Sequence, residues 1–314
     1  LKKEIHKTIV GQEEIIDQLL ITFLAGGHGL LEGVPGVAKT LMIRSLSEAI
    51  SLKFKRIQFT PDLMPTDIIG TEILEEDHGT GKRVFKFNKG PIFANIILAD
   101  EINRTSPKTQ SALLEAMQEF EVTYGGITYP LERPFFILAT QNPIEQAGTF
   151  PLPEAQLDRF LLFIKVSYPT AEEERAILSG TTGRKGAAIE KVMEGKQILE
   201  AQRIVRDVHI NAALIGWVSE LVRATRPKES TVKYVRDWVR WGAGPRAGQA
   251  MILTAKARAL LQGRLAVTQE DIKHVAYPVL RHRVLINFKA EAEGITSDEV
   301  TKHLLETITA EKIQ

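Results

Sequence analysis

The sequence predicts an α/β fold: a doubly wound parallel-sheet domain over residues 1–166, followed by a smaller all-helical domain over residues 167–314. Three observations carry this. Short apolar runs alternate with amphipathic stretches up to Val166, and the runs end in turn-forming or polar residues. After Ser167-Tyr168-Pro169, strand-like runs all but vanish. A chain of 314 residues is also too long for one small core, so two domains are its natural division.

The runs Gly29-Leu30-Leu31, Phe54 to Phe59, Asn95 to Ala99 and Phe135 to Thr140 read as buried parallel strands, because a sheet covered on both faces needs apolar residues throughout. Helical patterns supply the crossovers. One follows Lys39 and puts Met42, Ile43, Leu46, Ala49 and Ile50 on one face. Another opens at Ser106-Pro107, a cap with Pro in the first turn, and buries Leu113, Leu114 and Met117. Two hairpins interrupt the domain. Val122 to Tyr129 alternates around a Gly125-Gly126 turn, and Glu72 to Phe87 turns near His78-Gly79-Thr80-Gly81. Tyr124 and Tyr129 are expected to pack on their own hairpin.

In the second domain, Thr170 and Glu173 form a capping box that opens a helix through about Leu178. Further helices are expected at about 190–208, 211–224, 245–261, 268–280 and 297–308. Trp217, Trp238 and Trp241 read as its core, and Arg281-His282-Arg283 as a solvated face.

Composition excludes several chemistries. With 40 basic against 39 acidic residues the net charge is only +1, so a main task of neutralising nucleic-acid phosphates gains no support. No cysteine is present, which removes disulfides, thiolate nucleophiles and Cys-based zinc sites. The seven histidines show no metal-ligand spacing. No apolar run approaches the roughly 20 residues a membrane helix needs, and a cytoplasmic protein is expected.

Gly33-Val34-Pro35-Gly36-Val37-Ala38-Lys39-Thr40 follows an expected strand and opens an expected helix, the context of a Walker A loop. Its amides would curl around phosphate at a helix N-terminus, which favours negative charge. Lys39 would reach the β- and γ-phosphates of ATP, and the Thr40 hydroxyl would bind Mg²⁺. Ala38 stands where Gly is usual and fits if it has helical dihedrals. The strand Ile96-Ile97-Leu98-Ala99 ends in Asp100-Glu101, and adjacent strand positions point opposite ways, so the two carboxylates can serve different partners. Asp100 suits the Mg²⁺ shell and Glu101 the general base that polarises the attacking water. The next strand delivers Gln141-Asn142-Pro143, whose Asn142 could hold that water. Singly, these features also read as a glycine-rich helix cap, a solvated strand tip and a turn Asn before Pro. In series, each supports the others.

These residues resemble the MoxR family of AAA+ ATPases. Gly-Val-Pro-Gly-Val-Ala-Lys-Thr is similar to that family's Walker A variant, Ala38 included, Ala99 to Arg104 resembles its Walker B segment, and Ala139 to Pro143 its sensor 1. Glu154 to Phe160 resembles the segment bearing the arginine finger, which implies that role for Arg159. Gly244-Pro245-Arg246-Ala247 resembles sensor 2, with Gly244 where the family usually has Ser, and implies that role for Arg246. Ile9-Val10-Gly11-Gln12 resembles the stretch beside the adenine. The resemblance therefore implies nucleotide contacts from Ile9, Val10, Gly11, Gly33, Val34, Pro35, Gly36, Val37, Ala38, Lys39, Thr40 and Leu41. It implies Mg²⁺ held by Thr40 and Asp100, and catalysis by Lys39, Glu101, Asn142, Arg159 and Arg246.

The resemblance also implies an αβα P-loop NTPase core with a helical lid, and a homo-oligomeric ring, often a hexamer, with ATP between subunits. The two hairpins resemble the helix-2 insert and the pre-sensor 1 insertion of the wider clade. On physical grounds alone, Pro245 puts Arg246 at a helix start, within reach of phosphate, whereas Arg159 reads as a surface salt bridge. The leading reading is a chaperone-like ATPase acting on a protein partner, by resemblance one with a von Willebrand A-type domain. The others are a nucleic-acid motor, supported only by Lys82, Arg83, Lys86 and Lys89, and a nucleotide-gated scaffold with little turnover.

Overall fold

In the computed structural model, residues 1–33, 38–76, 83–142, 148–181 and 188–309 are described. In chain order the strands are β1 Gly29–Gly33, β2 Phe54–Gln58, β3 Gly70–Glu76, β4 Arg83–Lys89, β5 Ile96–Asp100, β6 Glu121–Tyr124, β7 Ile127–Pro130, β8 Phe136–Gln141, β9 Leu162–Val166, β10 Val239–Trp241 and β11 Leu285–Ile286. A five-stranded sheet runs β2-β5-β8-β1-β9, so the chain crosses over repeatedly as a parallel arrangement requires. β2 pairs β5 in parallel with Gln58 opposite Asp100, and β5 pairs β8 with Ala99 opposite Ala139. Ile96 to Ala99 and Phe136 to Ala139 are buried, as expected of central strands covered on both faces.

The chain divides into two compact units, Leu1–Ile16 with Leu30–Leu152 and Val166–Leu199, and Asp17–Gly29 with Pro153–Lys165 and Glu200–Gln314. In the first, the helix Lys39–Ile50 buries Met42, Ile43, Leu46, Ala49 and Ile50, the face its spacing predicts. The helix Pro107–Glu119 likewise buries Leu113, Leu114 and Met117. Both hairpins form. β6 and β7 turn through Gly125 and Gly126, both at positive φ, as a tight two-residue turn demands. β3 and β4 pair over seven residues; the expected turn at His78 to Gly81 lies outside the described residues. Tyr124 and Tyr129 do not pack only on their own hairpin. Phe87 of β4 stacks on both, with ring centroids 5.0 and 4.5 Å away, so the aromatics tie one hairpin to the other.

In the second unit the helices Ala212–Ala224, Pro245–Leu261, Gln269–Leu280 and Ser297–Thr307 fall within a residue or two of expectation. Gly195–Asp207 begins later than residue 190, because the amides of Val192 and Met193 donate to the Ala49 carbonyl instead of entering a helical ladder. Two features depart from an all-helical reading. β10 and β11 form a small antiparallel sheet, and the short helices Lys233–Trp238 and Phe288–Ala292 flank it. Trp217 is core and donates from Nε1 to the Ile308 carbonyl at 2.7 Å. Trp238 is half-buried under the Lys289 ammonium, whereas Trp241, at 70% exposure, is not core at all. It lies on β10, in a sheet too narrow to cover both faces. Among the described residues no helix is long and apolar enough to cross a membrane.

Candidate active site

Strand-end geometry in the first unit gathers the acidic pair, Lys39 and their neighbours. β1 ends at Gly33, where a Cβ would come within 2.8 Å of the Val166 side chain, so packing alone favours Gly there. Val34, Pro35, Gly36 and Val37 lie outside the described residues. The chain resumes at Ala38, the N-cap of Lys39–Ile50, with φ 57° and ψ 22°. This left-handed conformation overturns the expectation of helical dihedrals. Ala38 enters the helix at positive φ, where its Cβ crowds the backbone in a way that Gly would avoid. Ala38→Gly is therefore expected to raise stability by up to about 1 kcal/mol, seen as a higher midpoint in urea at unchanged slope. A lower midpoint would contradict the strain.

Lys39 folds back, its ammonium donating to the Gly33 carbonyl at 2.9 Å. Burial lowers its pKa, and the charges of Asp100 and Glu101 oppose the shift, so ammonium and both carboxylates share one electrostatic neighbourhood. Thr40 is half-buried and Leu41 exposed at the helix start.

Asp100 closes β5, and Glu101 stands just beyond it at φ 58° and ψ 49°. The two carboxylates do meet different partners, but a left-handed turn at Glu101, not strand alternation, separates them. Asp100 Oδ2 accepts from Arg56 Nε at 3.0 Å and Nη2 at 2.6 Å, and Oδ1 accepts from the buried Thr140 hydroxyl at 2.6 Å. The same Thr140 oxygen accepts from the Glu101 amide at 2.9 Å. Glu101 Oε2 accepts from Gln58 Nε2 at 2.7 Å and Arg104 Nη1 at 3.0 Å. Asn142, buried at the tip of β8, follows on the strand beside β5.

Arg56, Gln58, Arg104 and Thr140 escaped sequence reasoning. The available signal was parallel pairing: Arg56 and Gln58 lie two apart on β2, hence on one face, and Gln58 sits in register with Asp100.

Toward the N-terminus, Ile9 is buried, Val10 half-buried, and Gly11 and Gln12 both have positive φ. Glu173 fixes this bend. One of its oxygens takes the Thr170 amide at 2.8 Å, completing the expected capping box, and the other takes the Gln12 amide at 3.1 Å. A Cβ on Gly11 would overlap that carboxylate.

The second unit holds the two arginines singled out by resemblance. Arg246 is in the first turn of Pro245–Leu261, 54% exposed, with Nη1 3.7 Å from Asp158 Oδ2. Arg159 follows Asp158, after the short helix Glu154–Leu157. Here the expectation of a solvated Arg281-His282-Arg283 face fails. His282 and Arg283 are buried, and Arg283 Nε donates to Asp158 Oδ1 at 2.7 Å. Burial, with the Arg283 and Arg281 charges, holds the His282 pKa well below the ordinary range, so its ring is neutral. The helix Gln269–Leu280 ends just before the triplet and turns it inward onto chain carbonyls, a tertiary contact that a run of basic residues does not announce.

The donor set suits a magnesium nucleotide. Among the described residues no group of three or more His, Asp or Glu could hold a metal alone, and Mg²⁺ characteristically relies on one or two protein oxygens plus phosphate and water. Thr40 and Asp100 supply hard oxygens of that kind.

Comparison with known proteins agrees with this geometry. Residues 28–162 match the "ATPase family associated with various cellular activities (AAA)" and residues 233–304 an AAA lid domain. Chaperone MoxR1 of Mycobacterium tuberculosis is 43% identical over 99% of this chain and 81% of its own length. The uncharacterised Bacillus subtilis protein YeaC is 42% identical over 98% and 92%, and Protein MoxR of Paracoccus denitrificans 30% identical over 90% and 87%. A Cytophaga hutchinsonii protein whose crystal structure carries an ATPase assignment superposes with a TM-score of 0.90 at 45% identity, covering 98% of this chain and 92% of that one. Relatives this similar over nearly the whole length place the chain in the MoxR family of AAA+ ATPases, as an ATP-hydrolysing enzyme.

Proposed function

We propose that the chain assembles into a homo-oligomeric ring, a hexamer, in the cytoplasm and uses ATP hydrolysis to remodel or help mature a protein partner carrying a von Willebrand A-type domain. The observation that carries the catalytic part is the shared neighbourhood of Lys39, Asp100 and Glu101. Residues 1–166 serve as the nucleotide-binding core and 167–314 as the lid. Lys39 and the amides from Gly33 to Thr40 hold the phosphates, Leu41 continues that contact, and Ile9, Val10 and Gly11 border the adenine. Thr40 and Asp100 hold Mg²⁺, which when bound neutralises phosphate charge. Glu101 takes the proton of the attacking water while Asn142 orients it. Arg246 reads the phosphates from the lid, and Arg159 completes a neighbour's site.

A protein partner is favoured over nucleic acid by charge. Between Gly70 and Lys89 four acidic residues match four basic ones, and Lys86 pairs with Glu75 at 3.0 Å, leaving the longer hairpin without a basic excess. Mixed rings test the assembly. Arg159→Ala subunits and Lys39→Ala subunits should each be nearly inactive, and mixing them should restore hydrolysis, because each lacks what the other supplies across an interface. Two inactive populations that stay inactive when mixed, with assembled rings visible by light scattering, would remove Arg159 from that role.

A further inference from the structure

Arg283 is 4% exposed in its side chain, an expensive place for a cation. All five of its N–H groups have acceptors. Nε donates to Asp158 Oδ1 at 2.7 Å; Nη2 to the carbonyls of Asp158 at 3.3 Å and Phe160 at 2.7 Å; Nη1 to those of Leu161 at 3.2 Å and Val279 at 2.7 Å. Its neighbours continue the grip along the same stretch of chain into β9. His282 Nε2 lies 3.0 Å from the Phe160 carbonyl, and Arg281 Nη1 donates to the Phe163 carbonyl at 3.1 Å while its Nε holds Asp298.

The gripped carbonyls bracket Arg159: those of Asp158 and Phe160, the residues before and after it, end on one guanidinium. Buried Phe160 plugs the same backbone into the core. An apolar side chain of similar volume would stabilise such a site at least as well. What the planar fork adds is a fixed angle between four backbone carbonyls and one carboxylate, which a methylene chain cannot define. Nothing in ATP chemistry requires Arg283 itself, since its donors are already occupied.

We propose that Arg283 is a positioning residue for Arg159, holding the Asp158–Phe160 backbone so that the Arg159 guanidinium is presented at a constant place and angle. The inference rests on the role of Arg159 given above. A displacement of about 1 Å at a catalytic group can cost on the order of 10²-fold in rate, so a looser grip should be visible in turnover before it is visible in folding.

The test uses the 314-residue chain with Arg283→Lys, which keeps the charge but loses the fork, and Asp158→Asn, which keeps the shape but loses the ion pair. Each is expected to lower kcat about tenfold or more with KM for ATP changed less than about twofold, in protein that still assembles. In an Arg159→Ala background, Arg283→Lys should lower kcat no further, because the residue it orients is gone. Mixing Arg283→Lys with Lys39→Ala subunits should restore hydrolysis. Wild-type kcat in both variants, or an undiminished further loss in the Arg159→Ala background, would overturn the inference. Should Arg283→Lys fail to fold, Asp158→Asn carries the same three measurements. Wild-type turnover by Arg159→Ala alone would instead refute the finger assignment, so the two failures are distinguishable.

Discussion

Glu101→Gln is expected to lower kcat by about 10³-fold while leaving ATP affinity within a few-fold of wild type. The substitution is nearly isosteric. The remaining amide oxygen can still accept from Gln58 and Arg104, so the left-handed turn and its partners should persist. What disappears is the capacity to take a proton from water. Lys39 and the loop before it are untouched, so binding should survive. Phosphate release measures the first half of the prediction, and titration with a fluorescent ATP analogue measures the second. Equal turnover by Glu101→Gln and wild type would discard Glu101 as the base. Parallel loss of binding would show that the carboxylate acts instead on the nucleotide pocket.

The legibility of the site followed the range of the interactions that build it. The sheet strands and the helix after Lys39 were readable because burial is written locally, as apolar runs and a helical stripe. Positions at strand ends were readable for the same reason: a run that stops in Asp100-Glu101 has nowhere to put two carboxylates except at its tip. Backbone conformation was less legible. Ala38 and Glu101 adopt positive φ, which side-chain identity disfavours and only the surrounding turns impose. Long-range partners were the least legible. Gln58 and Arg56 are ordinary strand residues until parallel pairing sets them beside Asp100 and Glu101. Arg281 to Arg283 look solvated until they meet carbonyls some 120 positions away in sequence. The packing of Tyr124 and Tyr129 was legible only in part, because Phe87 reaches them from the neighbouring hairpin.

Lys39→Ala should weaken ATP binding by about 10- to 10²-fold, since a charge-assisted hydrogen bond to phosphate contributes about 1.5–3 kcal/mol. The ammonium is poised for this. Burial lowers its pKa, which makes the charged form costly where it stands, and among the described residues the Gly33 carbonyl and the fields of Asp100 and Glu101 compensate. A triphosphate would replace a neutral carbonyl with a multiply charged acceptor, so the same half-buried surroundings that penalise the free ammonium strengthen the bound one. Removing the side chain also removes that penalty, so unfolding free energy should change by no more than about 0.5–1 kcal/mol. Isothermal titration with ATP, alongside urea unfolding, separates the two effects. Undiminished ATP affinity in a folded Lys39→Ala protein would mean that the nucleotide does not sit over the start of this helix, and with it the reading of Glu101 as the base would lose its substrate.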